Sequence, residues 1–269
     1  LKQESVRSTA CPSKAVCLEL HLRSCSNVTC LGVRPNFSDY PPDEAELIRD
    51  APKIYYPSTF YADLLAAAGK PIFPSVHTYR FVQDKIKQSA LFEILDLPRP
   101  RTRTFYGRRL PEKILSHFRF PFVGKIARGS ALGRGVFMIA GRDDLDAYCD
   151  QTNTAYIQEY LPIDRDIRVV VIGNKIAHAY WRIAAQGEFR TNLGCGGKIS
   201  LDPVPESVLD LALHTARCCG WDDVGIDICM TGNRLYILEA NMKYGKAGFA
   251  AAGMDYYSIM EEKIANAEI

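Results

Sequence analysis

Asp227 stands in one β-prone run, 223–230, and Glu239 and Asn241 stand in or beside the next, 234–240. Thr231-Gly232-Asn233 between the runs has the composition of a hairpin turn. Residues two apart in a strand share a face, so Glu239 and Asn241 point the same way, and Asp227 can lie opposite them across the ladder. Their neighbours Ile226, Ile228, Ile237, Leu238 and Ala240 are apolar. Two carboxylates and an amide oxygen in such strands are costly unless something positive or wet meets them. The partner is either solvent, an Arg or Lys, or a hard cation that prefers oxygen, such as Mg²⁺ sharing its shell with phosphate.

A second group is Lys125 followed by Gly129-Ser130-Ala131-Leu132-Gly133-Arg134-Gly135, between strand runs 120–127 and 136–140. Glycines at this density let the backbone approach a ligand closely, and exposed N–H groups in such a loop cradle phosphate. The loop lacks the Gly-Lys-Ser/Thr ending of a Walker A loop and the Rossmann pattern; a plain hairpin loop is the alternative. Lys125 would add a point charge from the preceding strand. The third group, Asp166, Arg168, Arg182, Arg190, Asn192 and Lys198, lies on or near later strands. Arg168 shares a face with Asp166, and arginines in β-rich segments pair with an acid or bind an anion. Together the three groups are the parts needed to hold ATP with Mg²⁺.

Three regions must position them. Residues 1–77 read as a small α/β unit, with strands at 15–22, 29–33 and 53–56 and helices at 42–50 and 58–68. Residues 78–152 hold a helix over 79–95 with apolar positions Phe81, Val82, Ile86, Ala90, Leu91, Ile94 and Leu95, then strands at 102–106, 120–127 and 136–140 and helices at 111–118 and 142–150. Residues 153–269 are richer in strands, at 155–160, 167–172, 175–183, 223–230 and 234–240. Gly173-Asn174 marks a second hairpin, and helices span 204–220 and 254–267.

Composition narrows the class. The chain has 269 residues, 47% of them apolar and 24% charged, the profile of a globular protein. The absence of an apolar run near membrane-spanning length speaks against a membrane partner. Net charge is +2, and the one basic cluster, 99–109, reads as a solvated linker rather than the basic face that nucleic acid needs. The opening residues lack the order of a signal peptide. Nine cysteines do not fall into zinc spacing, and Cys218-Cys219 suits a helix; packed, reduced thiols fit a cytoplasmic protein, while Cys11, Cys17, Cys25 and Cys30 leave a disulfide or weak metal site open.

These residues carry a family resemblance. Asp84-Lys85, Lys125 with its glycine loop, Gln158-Glu159-Tyr160, Asp166-Ile167-Arg168, Phe189-Arg190-Thr191-Asn192, Gly196-Gly197, Gly225-Ile226-Asp227 and Leu238-Glu239-Ala240-Asn241 resemble, in order and spacing, the RimK-like branch of the ATP-grasp ligases. The resemblance implies an ATP-grasp fold, α/β with α+β lobes clasping ATP behind a small N-terminal α/β pre-ATP-grasp domain. It implies that Lys85, Lys125 and the loop residues Ser130, Gly133 and Gly135 meet the phosphates. It places Gln158, Glu159 and Tyr160 at the linker holding adenine, with Asp166 and Arg168 beside the nucleotide. Arg182, Arg190 and Asn192 would serve the γ-phosphate and acyl group. Asp227, Glu239 and Asn241 would bind Mg²⁺ (or Mn²⁺), Glu239 bridging two ions.

The implied reaction is ADP-forming ligation of a carboxylate to an amine through an acyl phosphate. An amino acid such as glutamate would join a peptide, an amino acid or a cofactor, in a monomer or a homo-oligomer. A nucleotide-binding regulator that has lost ligation and an ATP-grasp kinase are the alternatives. Two departures bear on the substrates: Asn241 is followed by Met242-Lys243-Tyr244-Gly245-Lys246 where many relatives have Ser-Pro-Gly, and Cys195 stands where ribosomal-protein-modifying relatives carry a basic residue.

Overall fold

The computed structural model describes residues 14–81, 83–128 and 135–269. The chain forms two compact units, Leu1–Val76 with Tyr257–Ile269, and His77–Tyr256.

The first unit is built on four short parallel strands, β1 (Ala15–Cys17), β2 (Val28–Cys30), β3 (Ile54–Tyr55) and β4 (Ile72–Phe73), in the order β2-β1-β3-β4. Helix α1 (Pro42–Asp50) starts on a proline whose missing N–H costs nothing in the first turn, with Asp43 and Glu44 facing the helix dipole; α2 (Ser58–Ala67) follows β3. Val16, Leu18, Ile48, Ile54 and Tyr61 form the core between sheet and helices. The strand expected over 15–22 ends at Cys17, where the thiol turns back to the Glu19 carbonyl (2.8 Å) and Leu20–Leu22 winds into a 3₁₀ turn.

The second unit opens with α3 (Val76–Arg80) and α4 (Lys85–Ile94). A single helix over 79–95 was the expectation. Gln83 takes a left-handed φ of 54°, which breaks the helical path, and the Asp84 carboxylate accepts the Lys87 N–H (3.0 Å) to cap a new helix. Strand β5 (Thr102–Tyr106), α5 (Leu110–Leu115), β6 (Phe122–Ile126), β7 (Val136–Ile139), α6 (Arg142–Cys149) and β8 (Thr154–Glu159) make a four-stranded antiparallel sheet, β5-β8-β6-β7, backed by the two helices. Phe105, Ile114, Phe118, Phe122, Leu145 and Ile157 fill the space between.

Next come β9 (Arg165–Ile172), β10 (Lys175–Ile183), β11 (Lys198–Ser200), α7 (Glu206–Cys219), β12 (Asp223–Thr231), β13 (Arg234–Asn241) and α8 (Ala247–Ala251). The five strands order as β11-β10-β9-β12-β13, antiparallel throughout. Both expected hairpins form, because Gly173 (φ 67°) and Gly232 (φ 58°) supply the positive φ that two-residue turns need. Strand β11 and helix α8 had no signal of their own: one is three residues long and the other a glycine- and alanine-rich single turn. Helix α7 closes on Gly220 in the left-handed region and packs Val208, Ala212 and Ala216 against Ile167, Val169, Val224 and Ile226. Among the described residues, no helix is long and apolar enough to cross a membrane.

Candidate functional site

Strand register sets the charges of the second unit. Asp166 lies beside Arg182 across β9–β10, and Asp227 lies beside Arg168 across β9–β12 and beside Glu239 across β12–β13. Paired residues of neighbouring strands project to one face, so these five charges collect there. Arg182 donates Nε to Asp166 Oδ1 (2.8 Å) and lies 3.0 Å, through Nη2, from Asp227 Oδ2. Arg168 meets Asp227 with both Nε and Nη2, the latter at 3.0 Å. Thr191 donates its hydroxyl to Asp166 (2.8 Å), and Asn241 its amide to Asp227 (3.1 Å). Asp166, Arg168, Arg182 and Asp227 are buried.

Burial alone would raise the Asp227 pKa; the Arg168 and Arg182 charges outweigh it and hold the carboxyl below its usual range. Burial likewise opposes the charge of Arg182, but Asp227 and Asp166 push its pKa up. Gly225 leaves room for this arrangement: a Cβ there would stand 2.9 Å from both Arg168 Cδ and Tyr244 Cβ.

Glu239 is more open, with a quarter of its side chain exposed, and meets the Lys85 ammonium at 2.9 Å. Lys85 is delivered by the first turn of α4, and Gln88, one turn on, fixes that helix to β13. Its amide donates to Ala240 O (2.8 Å) and accepts from Ala240 N (3.1 Å). Lys125 comes from β6, where the Tyr148 ring lies against Gly124 and its hydroxyl donates to the Lys125 carbonyl (2.8 Å). The Lys125 ammonium is buried, and burial lowers its pKa, the charge of Glu239 partly opposing.

These groups open onto a cleft of about 680 Å³, its mouth included, within the size range of small-molecule sites. Of the residues singled out in the sequence, Lys125, Gln158, Glu159, Tyr160, Asp166, Arg182, Arg190, Asn192, Asp227 and Glu239 line it. Gln158 bonds Thr102 (3.0 Å), and Glu159 accepts the Arg101 N–H (2.6 Å). Arg190 is turned onto Glu188, which accepts its Nε (3.0 Å) and Nη2 (2.6 Å); the arginine holds that carboxyl down at about 2.

Lys85, Arg168 and Asn241 are not wall residues but reach the cleft through Glu239 and Asp227. Gly135 (φ 77°) leads into β7, its carbonyl accepting the Ile126 N–H (2.7 Å); Ser130 and Gly133 lie outside the described residues. Arg168 and Asp166 share a face of β9, and each finds its partner on a neighbouring strand.

The apolar walls Val123, Val136, Leu161, Ile163, Phe189 and Leu238 were not anticipated. Val123 shares a face with Lys125, and Val136 pairs with Lys125, so strand parity could have found those two. Apolar walls beside cations and carboxylates suit a ligand with a flat, uncharged part and an anionic tail. The oxygen donors Asp227, Glu239 and Asn241 suit a hard divalent cation, and Glu239 already meets one cation in the Lys85 ammonium. Asp227 has its oxygens on Arg168 and Arg182, so a Mg²⁺ or Mn²⁺ ion there would have to share them.

Comparison with known proteins identifies the fold and the family. The fold is that of the ATP-grasp proteins: the crystal structure of a RimK domain ATP-grasp protein from Sphaerobacter thermophilus superposes with a TM-score of 0.68 over 93% of this chain and 98% of its own, at 16% sequence identity. More particularly, the chain belongs to the family of the RimK-like ATP-grasp domain, whose model matches residues 82–264. It is 30% identical over 192 residues to "Probable alpha-L-glutamate ligase 2" of Pseudoalteromonas atlantica, covering 68% of this chain and 63% of that protein. It is 31% identical over 134 residues to "Ribosomal protein bS6--L-glutamate ligase" of Salmonella paratyphi B, covering 48% of this chain and 44% of that protein. The chain thus spans less than two thirds of the length of these curated relatives.

Proposed function

We propose that the chain is an ATP-dependent, ADP-forming carboxylate–amine ligase that works through an acyl phosphate. The observation that carries this is the convergence, on one cleft, of the buried Lys125 ammonium with the paired acids Asp227 and Glu239 from neighbouring strands. Phosphoryl transfer to a carboxylate brings anions together, so catalysis rests on charge neutralisation and positioning. The walls Val123, Val136 and Leu238 hold the base, with Gln158, Glu159 and Tyr160 at its edge. Lys85 and Lys125 take the phosphates. Asp227, Glu239 and Asn241 would hold a divalent cation, which would screen the phosphate charge.

Arg190 and Asn192 orient the acceptor carboxylate for in-line attack. Arg182 and Arg168 act one layer back, fixing Asp166 and Asp227. The amine then displaces phosphate from the acyl group, with no covalent enzyme nucleophile, which leaves Cys195 a bystander. The names of the two relatives support glutamate as one of the joined amino acids; the acceptor is a peptide, an amino acid or a cofactor end.

The test is ADP release screened over pairs of carboxylates and amines. Ligation requires dependence on both partners. Dependence on one alone would indicate a kinase, and nucleotide binding without stimulated release a regulator. Transfer of ¹⁸O from a labelled carboxylate into phosphate checks the acyl phosphate; its absence during turnover would remove that intermediate.

A further inference from the structure

The N-terminal cysteines stand apart from the cleft chemistry, and two of them are placed for a reaction of their own. Cys17 and Cys30 are direct neighbours across the parallel pair β1–β2. Residues paired in this way project to the same face, and adjacent strands lie about 4.8 Å apart, inside the Cα separation a disulfide spans. The two thiols are near enough to perturb each other's titration, and the Leu22 backbone lies against both sulfurs. Cys17 is fully buried, whereas Cys30 lies on the outermost strand of the sheet and is only half-buried. Neither is disulfide-bonded in the described structure.

We propose that Cys17 and Cys30 form a reversible disulfide by exchange with a low-molecular-weight disulfide. The Cys30 thiolate attacks one sulfur of the small disulfide, whose S–S bond breaks; one small thiolate leaves and takes up a proton. Cys17 then loses its proton and attacks the Cys30 sulfur, expelling the second small thiol. Two cysteine thiols are oxidised to one cystine, and the small disulfide is reduced to two thiols.

The environment assigns the two roles. The adjacent Cys17 thiol holds the Cys30 thiol down at about 7, despite partial burial, so much of it is thiolate near neutrality. Burial instead pushes the Cys219 and Cys229 thiols up to about 12 and Cys149 to about 11. Cys17 is held up first by the adjacent Cys30 thiolate and then by burial. Once Cys30 is tied up in a mixed disulfide, the first cause is gone and burial still holds the resolving thiol Cys17 up. Cys25, the other thiol within this stretch, points to the Tyr257 carbonyl (3.7 Å).

Peptide mapping decides the matter. The full chain is treated with glutathione disulfide, denatured in iodoacetamide, and digested with trypsin, which cuts after Lys14, Arg23 and Arg49 and spares the Arg34–Pro35 bond. A Cys17–Cys30 bridge joins peptide 15–23 to peptide 24–49, lighter than their sum by two hydrogens and separated by dithiothreitol. A Cys25–Cys30 bridge would stay inside the second peptide. The joined species is expected in the parent and in Cys25→Ser, and not in Cys30→Ser. Quantitative alkylation of Cys17, a persisting glutathione adduct on Cys30, or joining that depends on Cys25 would each overturn the proposal, and the parent alone suffices to show any of the first two.

Discussion

Replacing Asp227 with Asn separates the structural from the chemical use of the cleft acids. The carboxamide keeps the shape but removes one negative charge from the buried series Asp166, Arg182, Asp227, Arg168. Arg182 keeps Asp166; Arg168, buried against Asp227, keeps no carboxylate. Breaking a buried ion pair from one side costs about 3–5 kcal/mol, and a carboxamide oxygen that still accepts one bond argues for about 3. In a unit of this size that lowers Tm by roughly 6–12 °C, and the urea midpoint by about 1 M for an m near 3 kcal/mol/M.

The sign with pH follows from the same cause. The folded carboxyl titrates below its unfolded value of about 3.9, so its contribution is complete above that value and is lost as pH falls through the lower folded one. Urea titrations should therefore show a constant gap between parent and variant from pH 7 to about 4, closing in stronger acid. Adding Arg168→Met restores neutrality and should recover part of the loss. A variant within about 1 kcal/mol of the parent, or a double variant no more stable than the single, would refute the reasoning.

Glu239→Gln should behave differently: with its side chain partly exposed, it costs about 1–2 kcal/mol in folding, while ADP release falls by about 10²-fold or more if the acid holds the cation. Retention of parental turnover would sink that assignment. Gly248→Ala puts a methyl inside the ring of Tyr180, itself buried, and should lower the urea midpoint by the equivalent of about 1–3 kcal/mol. The alkylation rate of Cys30 should rise with pH to half its plateau at about 7, well below that of Cys149, whose thiol sits at about 11; peptide-resolved labelling across pH checks both.

What could be read from the sequence was what local pattern dictates. Lys175–Ile183 alternates through β-branched and aromatic residues after a Gly-Asn turn, and the strand forms over those residues. A hairpin turn brings the strands of Asp227 and Glu239 together, and a register shift beside Asp227 sets the two opposite each other. The helix break at Gln83 was hidden, since apolar spacing runs unbroken past a backbone that turns left-handed. Arg168 and Asp166 share a face yet take partners across the sheet, because register between strands far apart in sequence outranks spacing within one. The register shift after Asp227 in β12–β13 is equally invisible to a rule that counts by twos. The apolar walls escaped notice because Val123 and Leu238 look like any core residue until the strands are ordered.

Gln88 presents its side-chain amide to Ala240 as a neighbouring strand would present a peptide group, giving and taking one hydrogen bond each. The helix that carries Lys85 is thereby clipped to the backbone between Glu239 and Asn241. Ammonium and carboxylate are then mounted on a common chassis: bending or breathing of the unit shifts both together. Lys85 can leave Glu239 by its own χ rotations while the helix stays in place.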